Sequence, residues 1–160
     1  MAVDMFLDIR DIKGESIDGK HKDTIDALSW SWGMSQTSTT HVGGGGGAGK
    51  VKVQDISITK YVDNASAALI KACCEGKHII QAKLIVRKAG LRPLEYLTIE
   101  MVEVLVAALT TGGIGSDDRL TENVTLNFRQ FRFRYQRQKA DGSGGPQTDF
   151  RWDIAANASM

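Results

Sequence analysis

The chain has 160 residues, of which 24% are charged and 42% apolar, and a formal net charge of +1. That length predicts one domain spanning residues 1–160, able to bury about 68–70% of its unfolded surface without staples. The near-zero charge excludes a global pull toward nucleic acid or anionic membrane. No segment reaches the roughly 20 apolar residues of a membrane span.

In chain order, most segments read with period two, the mark of half-buried antiparallel strands. Met1–Phe6 carries no basic region followed by an apolar core, so no cleaved export signal is expected. Val3, Met5, Leu7 and Ile9 alternate with Asp4, Phe6, Asp8 and Arg10, and Leu28, Trp30, Trp32 and Met34 with Ala27, Ser29, Ser31 and Gly33. Between this second strand and the next lies Thr40-His41-Val42-Gly43-Gly44-Gly45-Gly46-Gly47-Ala48-Gly49-Lys50. Gly44, Gly49 and Lys50 satisfy the phosphate-loop spacing, but Val51 stands where Ser or Thr is needed for magnesium. The following Val51–Ile58 alternates as a strand, not as the helix whose amides would face an anion. The tract reads as a long extended connection.

Ile56, Ile58 and Val62 share a face opposite Asp55, Ser57 and Thr59. One helix follows, of about 12 residues, a common globular length. Asp63 or Asn64 caps it, Ala65, Leu69, Ala72 and Cys73 form its stripe, and Gly76 ends it. Cys73 and Cys74 are adjacent and read as free thiols, since a bridge between neighbours would be strained. Ala82, Leu84 and Val86 make a further strand. Leu94–Leu109 is ambiguous: Leu97, Met101, Leu105 and Ala108 fit a helix, while Thr98, Ile99, Val102, Val104 and Val106 favour a strand. In Val124–Gln138 the apolar phase slips near Arg129-Gln130, predicting a bulge that lets one long strand turn a barrel corner or serve two sheets. Phe150, Trp152 and Ile154 close the pattern. The expected class is mainly β, an antiparallel barrel of two packed sheets with one flanking helix and a long extended loop.

No arrangement of residues carries a reaction. Ser29 and Ser31 lack a His-Asp partner. His21, His41 and His78 have no metal-ligand spacing, and Asp117-Asp118 lacks the spaced acids of a calcium loop. No catalytic residue, cofactor or metal is expected. Arg132 and Arg134, interleaved with Phe131, Phe133 and Tyr135, have the composition of a nucleic-acid-binding sheet. With the aromatics packed inward, they read instead as a charged outer face and possible interface charges. A single-stranded nucleic-acid-binding barrel is the alternative reading.

Met1–Leu7, Ile25–Gln36, His41–Lys50 and Lys52–Asp55 together resemble the haemolysin-coregulated proteins (Hcp) of bacterial type VI secretion. So do Gly76–His78, Gln81–Leu84, Arg87–Gly90 and Asp118–Val124. The resemblance implies a β-barrel subunit that assembles into homohexameric rings. Such rings stack into the inner tube of a contractile machine, inside its sheath and below a valine-glycine-repeat spike protein. They carry effector proteins in the lumen and are secreted from the bacterial cytoplasm without a signal peptide. It also implies that Leu94–Leu109 is mainly strand, and no nucleic acid or membrane insertion is implied. On that basis Ser29, Ser31 and Gly33 are expected to face the lumen and effectors, and Thr40–Lys50 to reach the next subunit or ring.

Overall fold

The chain's computed structural model describes residues 2–37 and 49–160. Its elements run β1 (Val3–Ile9), β2 (Ile25–Ser31), β3 (Met34–Ser35), β4 (Lys52–Val53), β5 (Ile56–Tyr61), α1 (Ser66–Glu75), β6 (Ile79–Lys88), β7 (Leu94–Gly112), β8 (Thr121–Gln138), β9 (Gly144–Asp153) and β10 (Ala158–Ser159). Six strands, in the order β5-β2-β1-β6-β7-β8, close into an antiparallel barrel when β8 returns to β5. β9 and β10 extend the sheet beyond β8. The ambiguous stretch is strand: the β-branched residues of β7 prevail because both of its neighbours supply ladders.

β8 turns a corner of the barrel within one sheet, exchanging β5 for β9 as the neighbour opposite β7. Its ladder to β5 ends at Leu126 and its ladder to β9 begins at Gln130. The phase slip has a different cause from the one expected. Phe128 and Phe131 are both buried, and so are their β7 partners Val104 and Met101, with the register between them unchanged. No residue is inserted here. Both strands switch faces together, with Glu103 in the left-handed region at φ 54°. The register shift of this ladder lies further along, between Val106 and Ala108.

α1 spans 10 residues and starts at Ser66, later than expected. Ala65 occupies the cap position without a side-chain bond, while Asp63 Oδ1 accepts the Ala65 N–H at 2.9 Å. Gly76 ends the helix at φ 61°, and Lys77 N–H donates to Ala72 O at 3.0 Å. Several residues of the predicted apolar faces are exposed, among them Val3, Leu28, Met34, Val62 and Phe150. A register shift between Ala27 and Ser29 leaves Leu28 exposed, and Val62 falls beyond the end of β5.

The barrel core holds Leu7, Ile25, Ile58, Leu84, Ile99, Met101, Val124 and Leu126, with Trp30 and Trp32 packed against it. A second, smaller core lies outside the barrel. Phe6 and Ile85 pair across β1 and β6 and are buried under residues 10–24. His21 stacks on Phe6 at 4.6 Å, and the Arg87 guanidinium lies 4.9 Å from the same ring. Arg87 ion-pairs with Asp18 and with Asp4, tying this strap to the strands.

Candidate functional site

Alternation in four adjacent strands sends apolar side chains into the barrel and leaves the opposite face to short polar ones. Trp30, Ile58, Val124 and Leu109 form one inward row across β2, β5, β8 and β7. Outward, Ser31, Ser57, Thr125 and Ala108 form a row, and Ser29, Thr59, Asn123 and Thr110 form the next. Ser57 Oγ donates to Asn123 Oδ1 at 3.0 Å, and Asn123 Nδ2 donates to Thr59 Oγ1 at 3.2 Å. No charged side chain stands in either row. Charge appears at the margins: Asn127 Nδ2 donates to Asp55 Oδ1 at 2.8 Å at one end, and the Arg119 guanidinium lies 3.5 Å from the centre of the Tyr61 ring at the other.

This face can hold polar surfaces by weak hydrogen bonds. Ser29 and Ser31 were legible as its residues; Ser57 and Thr59 were seen only as the back of a strand, and Asn123, Thr125 and Thr110 were missed. The signal was present in Asn123-Val124-Thr125-Leu126-Asn127, a polar-apolar alternation that becomes a surface only when the register aligns it. Gly33 is half-buried beyond β2, and its carbonyl accepts the Gln54 N–H at 2.9 Å.

The layer is open at both sides. β2 has a ladder to β1 only at Ile25 and Asp26, so Ser29–Ser31 pair with β5 alone. The ladder between β7 and β6 stops at Val104, so β7 beyond it pairs with β8 alone. These are unpaired strand edges of the kind that template further pairing.

Thr40, His41, Val42, Gly43, Gly44, Gly45, Gly46, Gly47 and Ala48 lie outside the described residues. Gly49 N–H donates to Thr37 O at 3.1 Å, and Lys50 is exposed. Arg132 and Arg134 project from the outer face of β8. The Arg132 fork holds Asp149 through Nε at 3.0 Å and a second nitrogen at 2.5 Å, and Arg134 holds Glu100 at 3.0 Å. The hydrogen bond from Arg132 lowers the Asp149 pKa, and the same bond raises that of Arg132. Among the described residues no helix is long and apolar enough to cross a membrane, and no group of His, Cys, Asp and Glu is arranged to hold a metal.

The family profile described as "Type VI secretion system effector, Hcp" matches residues 6–135. This chain belongs to the Hcp family. Protein hcp1 of Pseudomonas aeruginosa is 60% identical to this Hcp chain over 160 residues, covering 98% of each. The crystal structure of Hcp1 from Salmonella typhimurium is 39% identical, with a TM-score of 0.82 and full coverage of both chains. A further solved structure, of a type six secretion system protein, superposes with a TM-score of 0.94 at 25% identity, covering 99% of this Hcp chain and 100% of its own. The mainly β barrel with one helix is the fold of these relatives, and the Hcp chain is a type VI secretion protein of the tube and effector class.

Proposed function

We propose that this chain is the repeating unit of a secreted inner tube, assembled as homohexameric rings that stack and carry effector proteins in their lumen. The observation that carries this reading is the four-stranded layer with an uncharged, short-side-chain outer face and an open edge on each side. A heterologous contact between two different edges closes into a ring when its rotation divides a full turn. Joining the β2 edge of one copy to the β7 edge of the next continues the layer around an axis. Ser29, Ser31, Ser57 and Thr125 then line the hollow. A wall of hydroxyl and amide groups wets readily and holds cargo weakly enough to release it.

In the same reading Thr40–Lys50 reaches from one ring to the next, the tube sits within a contractile sheath, and a valine-glycine-repeat spike caps it. Assembly takes place in the bacterial cytoplasm, and the chain leaves with the tube. The whole chain, 1–160, acts as one unit.

The alternative, a single-stranded nucleic-acid-binding barrel, has less support. It needs Arg132 and Arg134 free beside exposed aromatics, but both guanidinium groups are held by carboxylates. Phe133 pairs with Ile99 and Phe150 on the opposite face. Native mass spectrometry of the purified chain tests the tube reading: a six-chain species supports it, and a monomer at every concentration rejects it. Salt-sensitive retention of an oligonucleotide would favour the alternative.

A further inference from the structure

At one end the polar face changes character. Tyr61 continues the outward row of Ser57 and Thr59 along β5, and it pairs with Thr121 of β8, which pairs in turn with Gly112 of β7. An aromatic ring thus stands where the two preceding rows carry hydroxyl and amide groups. Beside it β2 adds an apolar side chain. Ala27 pairs with Lys60 and Ser29 with Thr59, so Leu28 is the extra residue of a bulge. Leu28 and Ser29 are both exposed, Leu28 at 39%, whereas Ala27 and Trp30 turn inward. The bulge therefore sets Leu28 on the polar face, level with Thr59 and Lys60 and close to Tyr61 along the strand.

Over the same ring lies a cation, the Arg119 guanidinium, 3.5 Å from the ring centre. Stacking covers one face of a guanidinium and leaves its planar N–H fork free to meet a carboxylate edge-on. Among the described residues Arg119 forms no ion pair, whereas Arg129, Arg132 and Arg134 each hold a carboxylate. Asp117 of the same loop accepts the Arg119 backbone N–H at 3.2 Å and leaves the fork untouched. The loop is fastened, because Val62 N–H donates to Leu120 O at 2.9 Å and Asp117 N–H to Ile114 O at 3.1 Å. The fork is thus placed in advance of any ligand. The opposite margin carries a carboxylate instead, that of Asp55 beside Asn127.

We infer that Arg119, Tyr61 and Leu28 form a grip for effector segments in which a carboxylate stands beside an apolar side chain. The Arg119 fork takes the carboxylate in paired N–H···O bonds, and Leu28 with the Tyr61 ring takes the apolar group. This deepens the lumen reading proposed above and rests on it. The neutral rows of Ser, Thr and Asn exchange hydrogen bonds with any polar surface, so they hold cargo without choosing it. A bidentate guanidinium–carboxylate pair is stronger than a neutral bond and fixes direction as well, so it selects. In a closed ring the grip recurs around one mouth only, since the other margin bears Asp55. Repeated weak grips add avidity while each one releases readily. Cargo is therefore engaged from one end of the ring.

The test titrates purified rings with two labelled peptides, read by fluorescence anisotropy. One peptide alternates leucine with aspartate, the other leucine with asparagine. Parent chain, Arg119→Gln, Arg119→Lys and Leu28→Ser are compared, with native mass spectrometry and circular dichroism reporting rings and fold. Parent rings should prefer the aspartate peptide, and Arg119→Gln should bind it about tenfold more weakly, the scale of one charge-assisted hydrogen bond. Arg119→Lys should keep the preference with part of the affinity, and Leu28→Ser should weaken both peptides alike. Parent rings that bind neither peptide, or both equally, overturn the grip while leaving the ring reading intact. So does undiminished binding of the aspartate peptide by Arg119→Gln rings. Loss of rings in both Arg119 variants would assign that residue to a subunit contact and overturn the grip as well. A monomeric parent chain overturns the ring reading itself, and the grip with it.

Discussion

Lys60 and Glu122 face each other across the β5–β8 ladder and form an ion pair from which solvent is excluded on both sides. Lys60 is 0% exposed; its ammonium also reaches Asp63 Oδ1 at 2.9 Å and Ser66 Oγ at 3.3 Å. Ser66 in turn donates to Glu122 at 2.6 Å. The cluster therefore joins the start of α1 to two barrel strands. Truncating one member leaves the other charged and buried, a loss of about 3–5 kcal/mol, whereas an apolar pair of similar volume is near neutral. Lys60→Met alone and Glu122→Leu alone are expected to lower the urea midpoint strongly, and the double substitution to recover most of it. Concentration is held fixed because assembly adds to apparent stability. Additive losses in the double variant would show that the two residues are not coupled.

The strap over the outer core should loosen in acid. The hydrogen bond from Arg87 holds the Asp18 carboxyl well below the usual carboxylate range, helped by backbone bonds from Lys20 and His21. A carboxyl depressed in the folded chain contributes stability above its unfolded pKa, and that contribution is lost as pH falls through the folded value. Amide exchange across residues 12–24 should therefore accelerate as pH drops below the usual carboxylate range, beyond the chemical pH dependence of exchange. Asp18→Asn should show fast strap exchange already at neutral pH. Equal strap protection in Asp18→Asn and the parent chain at neutral pH would rule out the Asp18–Arg87 tie as the fastening.

Gly14 fixes the path of the same strap. A Cβ there would lie 2.5 Å from Thr24 O and 2.8 Å from Ile25 Cα, both backbone atoms that cannot rotate away. The strap closes on itself through Gly14 N–H to Asp23 O at 2.8 Å and Ser16 N–H to Thr24 O at 3.0 Å. Gly14→Ala should lower the melting temperature and expose Phe6 and Ile85, measured as increased binding of a hydrophobic dye. An unchanged melting temperature would mean the strap shifts without cost.

Much of the barrel was legible because its signal is local. Alternation in Val3–Ile9, Ala82–Val86 and Phe150–Ile154 needs no partner to be read. The partner switch in β8 was also visible, from the changed phase between Phe128 and Phe131. Its mechanism was not, because the matching switch in β7 at Met101 and Val104 is seen only once the two strands are paired. Strand identity of Leu94–Leu109 was undecided from pattern and is set by the ladders to β6 and β8. The polar face was half-read: Ser29 and Ser31 stood out beside two tryptophans, whereas Thr125 and Asn123 join them only through β5. The strap ties His21 to Glu95 and Asp18 to Arg87, contacts between residues far apart in sequence that no spacing rule anticipates.

Cargo holding should depend on the short side chains of the polar face. Ser31→Trp fills the row shared with Ser57 and Thr125 without entering the core, so rings should still form. Less effector should then remain with rings purified from the producing bacterium, measured by size exclusion followed by mass spectrometry. Undiminished effector on intact Ser31→Trp rings would remove Ser31 from the contact.

Stacking should depend on the glycine tract. Deleting Gly43–Gly47 is expected to leave circular dichroism and single rings unchanged and to reduce tube length under stacking conditions. Tubes of parental length in the deletion variant would reject a ring-to-ring role for Thr40–Lys50.

Electron microscopy of the purified full chain bears most directly on the central proposal, that the four-stranded layer closes around a hollow axis. Annular particles with six-fold symmetry, their inner wall formed by the face bearing Ser31 and Thr125, are the expected result. Particles without a central hole, or rings whose inner wall is the charged face bearing Arg132 and Asp149, would contradict it.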